Sequence, residues 1–316
     1  MNHMGMVAQK VSALTIPPLY RIGERSNVLR GTRLRTPVQS LLRSLSNLSA
    51  RETRATFNTA PTTPDFLPID QLDSMLHSHA SRQTRRDIRS PHEKCEDRVR
   101  EVLRCTGGCL PAHATILEIA CGDCSVGEQM QLAGHDVHGI DLALPKRATT
   151  IRFAQMDATR LDYPSDAFDL IYAFDSFEHF SDPAGVLREV KRVLKPGGIF
   201  YSSFGPLWHS AMGAHQWFSI DLPYCHLLFR RDDVNAFASR IGKPCLTPNL
   251  NFWSLRQFRQ LFESQVDAFE QIAWFEKFNV AYCDMIAAHP GCFRSKVDDF
   301  DELIVRSIEV LLRKRG

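Results

Sequence analysis

The sequence predicts an α/β fold, a mostly parallel sheet with helices on both faces, and three observations carry that prediction. Short strand-like apolar runs alternate with helix-like runs from residue 113 onwards, the pattern of a parallel sheet covered by helices. The run ILEIACGDCSVGEQM (116–130) passes from branched apolar residues through a loop of small ones into a helix pattern. KPGG (195–198) closes another helix ahead of the next strand-like run, since Pro and Gly cannot continue a helix.

Strands are predicted at TILEIAC (115–121), DVHGIDL (136–142), IRFAQMDA (151–158), DLIYAFD (169–175) and IFYSSF (199–204). AFEQIAWFEK (268–277) and the closing IVRSIEVLLRK (304–314) complete the set, the alternation in the last suiting a strand better than a helix. Helices are predicted at 126–133 and 184–194 and in SLRQFRQLFES (254–264). The core domain spans 113–316, with an insertion at 206–250 after the fifth strand. Before it, 65–112 reads as a helical cap: Ile69, Leu72, Met75 and Leu76 share one face, and Val99, Val102 and Leu103 mark a second helix that Gly107-Gly108 stops.

Residues 1–64 are rich in Ser, Thr and Arg and broken by Pro17-Pro18, Pro37, Pro61 and Pro64. They bury too little apolar surface to fold alone and are expected to be largely disordered, with one short helix at 38–48. An Arg-rich, acid-poor start is also the composition of an organellar transit peptide, so a cytoplasmic location is expected with an organellar one as the alternative.

With 44% hydrophobic and 23% charged residues in 316, the chain has the composition of an ordinary globular protein, and no apolar run is long enough to span a membrane. The net charge of +2 is uneven: residues 1–60 hold nine Lys/Arg and two Asp/Glu, which is +7, leaving 2 − 7 = −5 on the rest. A mildly acidic folded part argues against a nucleic-acid partner and for a small-molecule one; the oligomeric state is open. Nine scattered cysteines point to a reducing compartment. Cys105-x3-Cys109 with Cys121-x2-Cys124 has the outline of a four-thiolate zinc site, but the second pair falls in a strand-loop-helix pattern with its own explanation, and no metal site is predicted.

That explanation is a ligand loop. A strand that ends in small residues and feeds a helix offers close backbone approach and the positive end of a helix dipole. The loop has Gly122 and Gly127 but no G-x-G-x-x-G, so the ligand need not be a dinucleotide. Asp141 closes the second strand, 23 residues after Glu118, and Asp157 closes the third. At the carboxyl edge of a parallel sheet, the first is placed to accept ribose hydroxyls and the second an adenine amino group.

Over 114–204 and again over 254–314 the sequence resembles the class I S-adenosylmethionine-dependent methyltransferases. Glu118-Ile119-Ala120-Cys121-Gly122-Asp123-Cys124 is similar to that family's first motif, with Ala120 and Cys124 where glycines are usual. FDLIYAFDSFEHFSDPAGVLREVKRVLKPGGIF (168–200) is similar to its fourth strand, following helix and turn. The resemblance implies a Rossmann-like sheet of seven strands and S-adenosyl-L-methionine as cofactor. It implies that Glu118 and Gly122 line the methionine and ribose end, with Ala120 at the closest backbone approach. Asp141 would hold the ribose, Asp157 and Ala158 the adenine, and Phe174 would sit beside the methionine.

The expected reaction is methyl transfer to oxygen, or to nitrogen, of a small metabolite or sugar-containing precursor. The alternatives are a cofactor-binding module without turnover and a methyltransferase acting on protein or lipid. Displacement at a sulfonium needs positioning and dryness above all, and a hydroxyl acceptor also needs a base near neutral pKa. His179, in the EH after the fourth strand, and His215 and His226 in the insertion are the candidates, with His209 as a further histidine there. The insertion's Trp208, Trp217, Phe218, Tyr224, Leu227, Leu228 and Phe229 form either a substrate lid or a subdomain packing its own aromatics. Arg82, Arg85, Arg86 and Arg89 in the cap could meet an anionic substrate or form a solvated face.

Overall fold

The computed structural model describes residues 44–46, 48–80, 90–106, 108–215 and 218–316. The helix expected at 38–48 falls mainly outside these, as do Arg82, Arg85, Arg86, Arg89 and Trp217.

Seven strands form one sheet: β1 (Thr115–Ile119), β2 (Asp136–Asp141), β3 (Arg152–Gln155), β4 (Phe168–Phe174), β5 (Leu194–Phe204), β6 (Phe269–Phe278) and β7 (Val305–Lys314). Their order is β3-β2-β1-β4-β5-β7-β6. β1 to β5 pair in parallel, and β7 runs antiparallel between β5 and β6. The order reverses between β1 and β4, so the crevice outside their carboxyl ends is the place where such sheets bind ligands.

Alternation along β1 supplies two faces. Leu117 and Ile119 join a core with Phe177, Val186, Val190 and Phe258, which helices α5 (Pro183–Val193) and α8 (Leu255–Glu263) cover. Ile116 points the other way, into a core with Val102, Val126, Met130 and Tyr172, covered by α3 (Pro91–Thr106) and α4 (Ser125–Leu132). The helix starts are well specified. Asp182 caps α5, its Oδ1 accepting from Gly185 N at 2.8 Å ahead of Pro183 in the first turn, and Ser254 with Gln257 forms a capping box on α8.

A second core lies off the sheet, built from three stretches far apart in sequence. α1 (Arg51–Thr59) brings Phe57, and α2 (Gln71–Ala80) brings Leu72. The insertion, with α6 (Cys225–Leu228) and α7 (Arg231–Arg240), brings Tyr224, Leu227, Leu228 and Phe229. Phe293, Phe300 and Leu303 come from a segment between β6 and β7 that holds α9 (Cys283–Ala288), α10 (Pro290–Arg294) and α11 (Asp301–Ile304). Tyr224 ties them, its hydroxyl donating to the Leu303 carbonyl at 3.0 Å and its ring edge-on to Phe293.

Two sequence expectations change here. Helix α1 and buried Phe57 lie within 1–64, so ordered chain starts before residue 65. The stretch 65–112 divides: α2 joins the second core, while α3 packs on the sheet beside α4. Of the insertion's large apolar residues, Tyr224, Leu227, Leu228 and Phe229 are buried in this second core and do not wall a cleft.

Candidate active site

After β1 the chain takes left-handed backbone at three of five positions: Ala120 (φ 55°), Gly122 (φ 55°) and Cys124 (φ 63°). Glycine enters that region without steric cost, whereas a Cβ there costs about 1–2 kcal/mol. The sequence departures at Ala120 and Cys124 thus fall where the loop asks for glycine. The Cys124 side chain nevertheless stays out of the crevice: it is fully buried, with Sγ 3.5 Å from Sγ of buried Cys121. Burial pushes both thiols above the usual range, Cys121 the more strongly, and each bears on the other. No disulfide joins any of the nine cysteines.

Glu118 is also beneath the loop. Its buried carboxyl accepts from Gly127 N at 2.9 Å, in the first turn of α4. A Cβ on Gly127 would come within 2.8 Å of both Glu118 Oε2 and Ile151 Cδ1, so glycine is what lets the helix approach the strand. Burial raises the Glu118 carboxyl to about 8 against the pull of that N–H. Its place is that of a group holding the loop from below.

Above the loop, Gly122 is exposed, with open space where a side chain would stand. Its N–H donates to Asp141 Oδ2 at 3.0 Å, while Asp141 Oδ1 accepts from Ala143 N at 3.0 Å. Loop and second-strand acid are thereby locked together, and each carboxylate oxygen keeps a further lone pair. Asp157 is exposed, its Oδ1 accepting from Thr159 N and Oγ1, both at 2.8 Å, with buried Ala158 beside it.

Phe174 ends β4. The Arg98 guanidinium, from α3, lies over its ring at 5.0 Å and binds the Asp175 carboxylate. Arg98 thus lies at the candidate site unforeseen from the sequence, because it stands off the apolar face by which α3 is recognised.

Beyond Asp175 the chain gathers a cluster. Glu178 is buried, and its Oε1 accepts from Gly205 N at 2.8 Å; burial raises this carboxyl to about 8. His179 is exposed, its Nδ1 donating to the Asn249 carbonyl. His215, at φ 57°, donates from Nε2 to the Pro206 carbonyl at 2.7 Å, its ring edge-on to His179 with centroids 5.2 Å apart. Glu178, His179 and His215 each have a ligand-capable atom within 4.8 Å of the others'. Glu178 was visible only as the first letter of EH.

His226 is differently placed. It donates from Nε2 to the Trp208 carbonyl at 2.6 Å with its ring 4.5 Å from the indole, and burial lowers it to about 3. A ring so engaged and held neutral packs the insertion. His209 pairs with Glu302 at 3.3 Å, whose carboxylate also accepts from Leu255 N and Arg256 N at the start of α8. The four-thiolate grouping does not form: Cys109 is exposed, and among the described residues the only three or more His, Cys, Asp or Glu side chains gathered within ligand reach are Glu178, His179 and His215.

Residues 117–202 match a family described as "Methyltransferase domain". Over those residues the chain carries a methyltransferase domain. Over 103 residues this domain is 34% identical to a 2-methyl-6-phytyl-1,4-hydroquinone methyltransferase of Synechocystis, covering 28% of this chain and 31% of the other. It is 31% identical over 108 residues to a ubiquinone biosynthesis O-methyltransferase of Chromobacterium violaceum, covering 29% and 45%. A sterol 24-C-methyltransferase of Gibberella zeae is 30% identical over 123 residues, covering 39% and 25%. The chain thus spans less than half the length of these relatives.

The crevice has what S-adenosylmethionine, the cofactor the sequence resemblance implies, would need. Gly122 leaves open space for close approach, Asp141 ends β2 and is already tied to the loop, and Asp157-Ala158 lies one strand further out. The side chains of Cys124 and Glu118 do not obstruct it.

Proposed function

We propose that the protein transfers a methyl group from S-adenosylmethionine to an oxygen of a small metabolite. The observation that carries this reading is the pairing of two features at one sheet edge. The Gly122–Asp141 lock sits after β1 and β2, and the Glu178–His179–His215 cluster sits after β4 and β5. Bound over the loop, the cofactor supplies an electrophilic methyl on sulfur.

The chain's residues do the rest. Asp141 and Asp157 fix the nucleoside, and Arg98, held by Asp175 over Phe174, closes the methionine end from α3. His179 takes the acceptor proton: with Nδ1–H given to the Asn249 carbonyl, the neutral ring presents its lone pair on Nε2. Trp208, edge-on to exposed Phe252 at 4.8 Å, offers an apolar wall for the acceptor body. The O-methyltransferase named among the relatives favours oxygen over nitrogen. The sterol enzyme's name shows that carbon is also reached from this kind of domain.

The test is transfer of labelled methyl from S-adenosylmethionine to a panel of phenols, hydroxylated metabolites and amines. Oxygen acceptors should be labelled, and His179→Ala should lower kcat about 100-fold or more with little change in cofactor binding. Labelling of amines alone, or a His179→Ala rate equal to wild type, would contradict the reading.

A further inference from the structure

We propose that Glu178, His179 and His215 bind one divalent first-row transition-metal ion, of which zinc is the type. The inference rests on the geometry of the cluster and goes beyond the methyl-transfer reading, which needs no metal.

The donor set is two imidazoles and a carboxylate, a combination that suits Zn²⁺ and its neighbours. The tautomer of each ring is already set. A carbonyl can only accept, so the nitrogen facing Asn249 O in His179 is N–H, and the neutral ring's lone pair lies on Nε2. By the same reasoning Pro206 O fixes the His215 lone pair on Nδ1. Metal-bound histidines characteristically give their second N–H to a carbonyl or carboxylate in this way, which fixes the tautomer and orients the ring.

Glu178 supplies the independent observation. Its side chain is almost wholly buried, at 2% exposure, and Oε1 has its partner in Gly205 N, yet Oε2 has no hydrogen-bond partner. A buried carboxylate oxygen left so is costly and calls for a cation or proton donor.

Tetrahedral bonds of about 2.1 Å put ligand atoms about 3.4 Å apart. The present spread, within 4.8 Å, therefore closes by at most a little over 1 Å on binding. His215 reaches the group through a left-handed backbone, a conformation that persists only where its surroundings impose it. Three protein ligands leave a coordination position open. With an ion there, His179 Nε2 would be a ligand and no longer the base, and an acceptor hydroxyl at the open position, acidified by the ion, would give its proton to solvent water as its oxygen takes the methyl.

The test uses the full chain, reduced and stripped of metal by chelator, titrated with Zn²⁺ and separately with Co²⁺. One equivalent should bind, and Co²⁺ should give visible d–d bands without a thiolate charge-transfer band. Glu178→Gln, His179→Ala and His215→Gln should each weaken Zn²⁺ binding at least about tenfold, while binding of S-adenosylhomocysteine reports that the variants are folded. Should a buried-site variant fail to fold, exposed His179→Ala decides. Absence of stoichiometric Zn²⁺, binding indifferent to His179→Ala, or a thiolate band from the Cys121–Cys124 pair would overturn the proposal. None of these readouts depends on methyl transfer.

Discussion

Cys124 Sγ lies 3.5 Å from Cys121 Sγ while the Cys124 backbone sits at φ 63°, so the side chain that replaces the expected glycine is folded under the cofactor loop. The loop keeps the left-handed turn that glycine would give, and the cost of a Cβ there is offset by burying a sulfur in the core with Val126 and Met130.

Cys124→Gly relieves about 1–2 kcal/mol of backbone strain and loses a comparable amount of buried side chain. Stability by urea unfolding should therefore stay within about 1 kcal/mol of wild type, and affinity for S-adenosylhomocysteine within about threefold. Cys124→Val, a branched residue at positive φ, should cost about 2 kcal/mol or more. A tenfold gain in affinity for Cys124→Gly would mean that the thiol does obstruct the ligand.

Glu118 contributes a pH dependence whose sign follows from its raised carboxyl. The unfolded value is 4.5 and the folded value about 8, so the folded state holds this proton more tightly. The contribution is fully present below pH 4.5 and is lost as pH rises to about 8. Glu118→Gln, which cannot ionise and still accepts from Gly127 N, should gain stability relative to wild type between pH 5 and pH 8. Denaturation midpoints at the two values check this; a pH-independent difference would contradict it.

Much of the fold could be read from particular patterns. The run 168–200 gives β4, α5 and the following turn, and the small-residue loop with Asp141 and Asp157 gives the crevice. The alternating 304–314 gives a strand, not a helix. The helices α9 to α11 were not legible, being four to six residues long and cut by Pro290; they exist because Phe293, Phe300 and Leu303 find partners in α1 and the insertion. For the same reason the insertion's aromatics gave no sign of which way they face. His179 and His215 were readable as candidates, but the buried carboxylate joining them and Arg98 over Phe174 are products of tertiary approach.

His226 is expected to act on stability alone. Its ring is 6.5 when free and about 3 in place, so its contribution is present above pH 6.5 and fades as pH falls toward 3. His226→Phe loses the bond to the Trp208 carbonyl and should cost about 1–3 kcal/mol at neutral pH, a deficit that narrows in acid. S-adenosylhomocysteine affinity should not move; a large loss of affinity at unchanged stability would place this ring in the cleft.

Asp141 carries the loop lock and, in the proposed reading, the ribose contact. Asp141→Ala should weaken S-adenosylhomocysteine binding by about 1–3 kcal/mol, and Asp141→Asn, which still accepts from Gly122 N, by less. Equal affinity across the three proteins would remove Asp141 from the site.

The most direct measurement is calorimetric titration of S-adenosylhomocysteine into the full chain. One site per chain is predicted, saturating with a Kd below about 1 mM, the upper end of ordinary enzyme affinities for their substrates. Folded protein that shows no saturable binding at millimolar ligand would contradict the assignment of the crevice above Gly122 and Asp141.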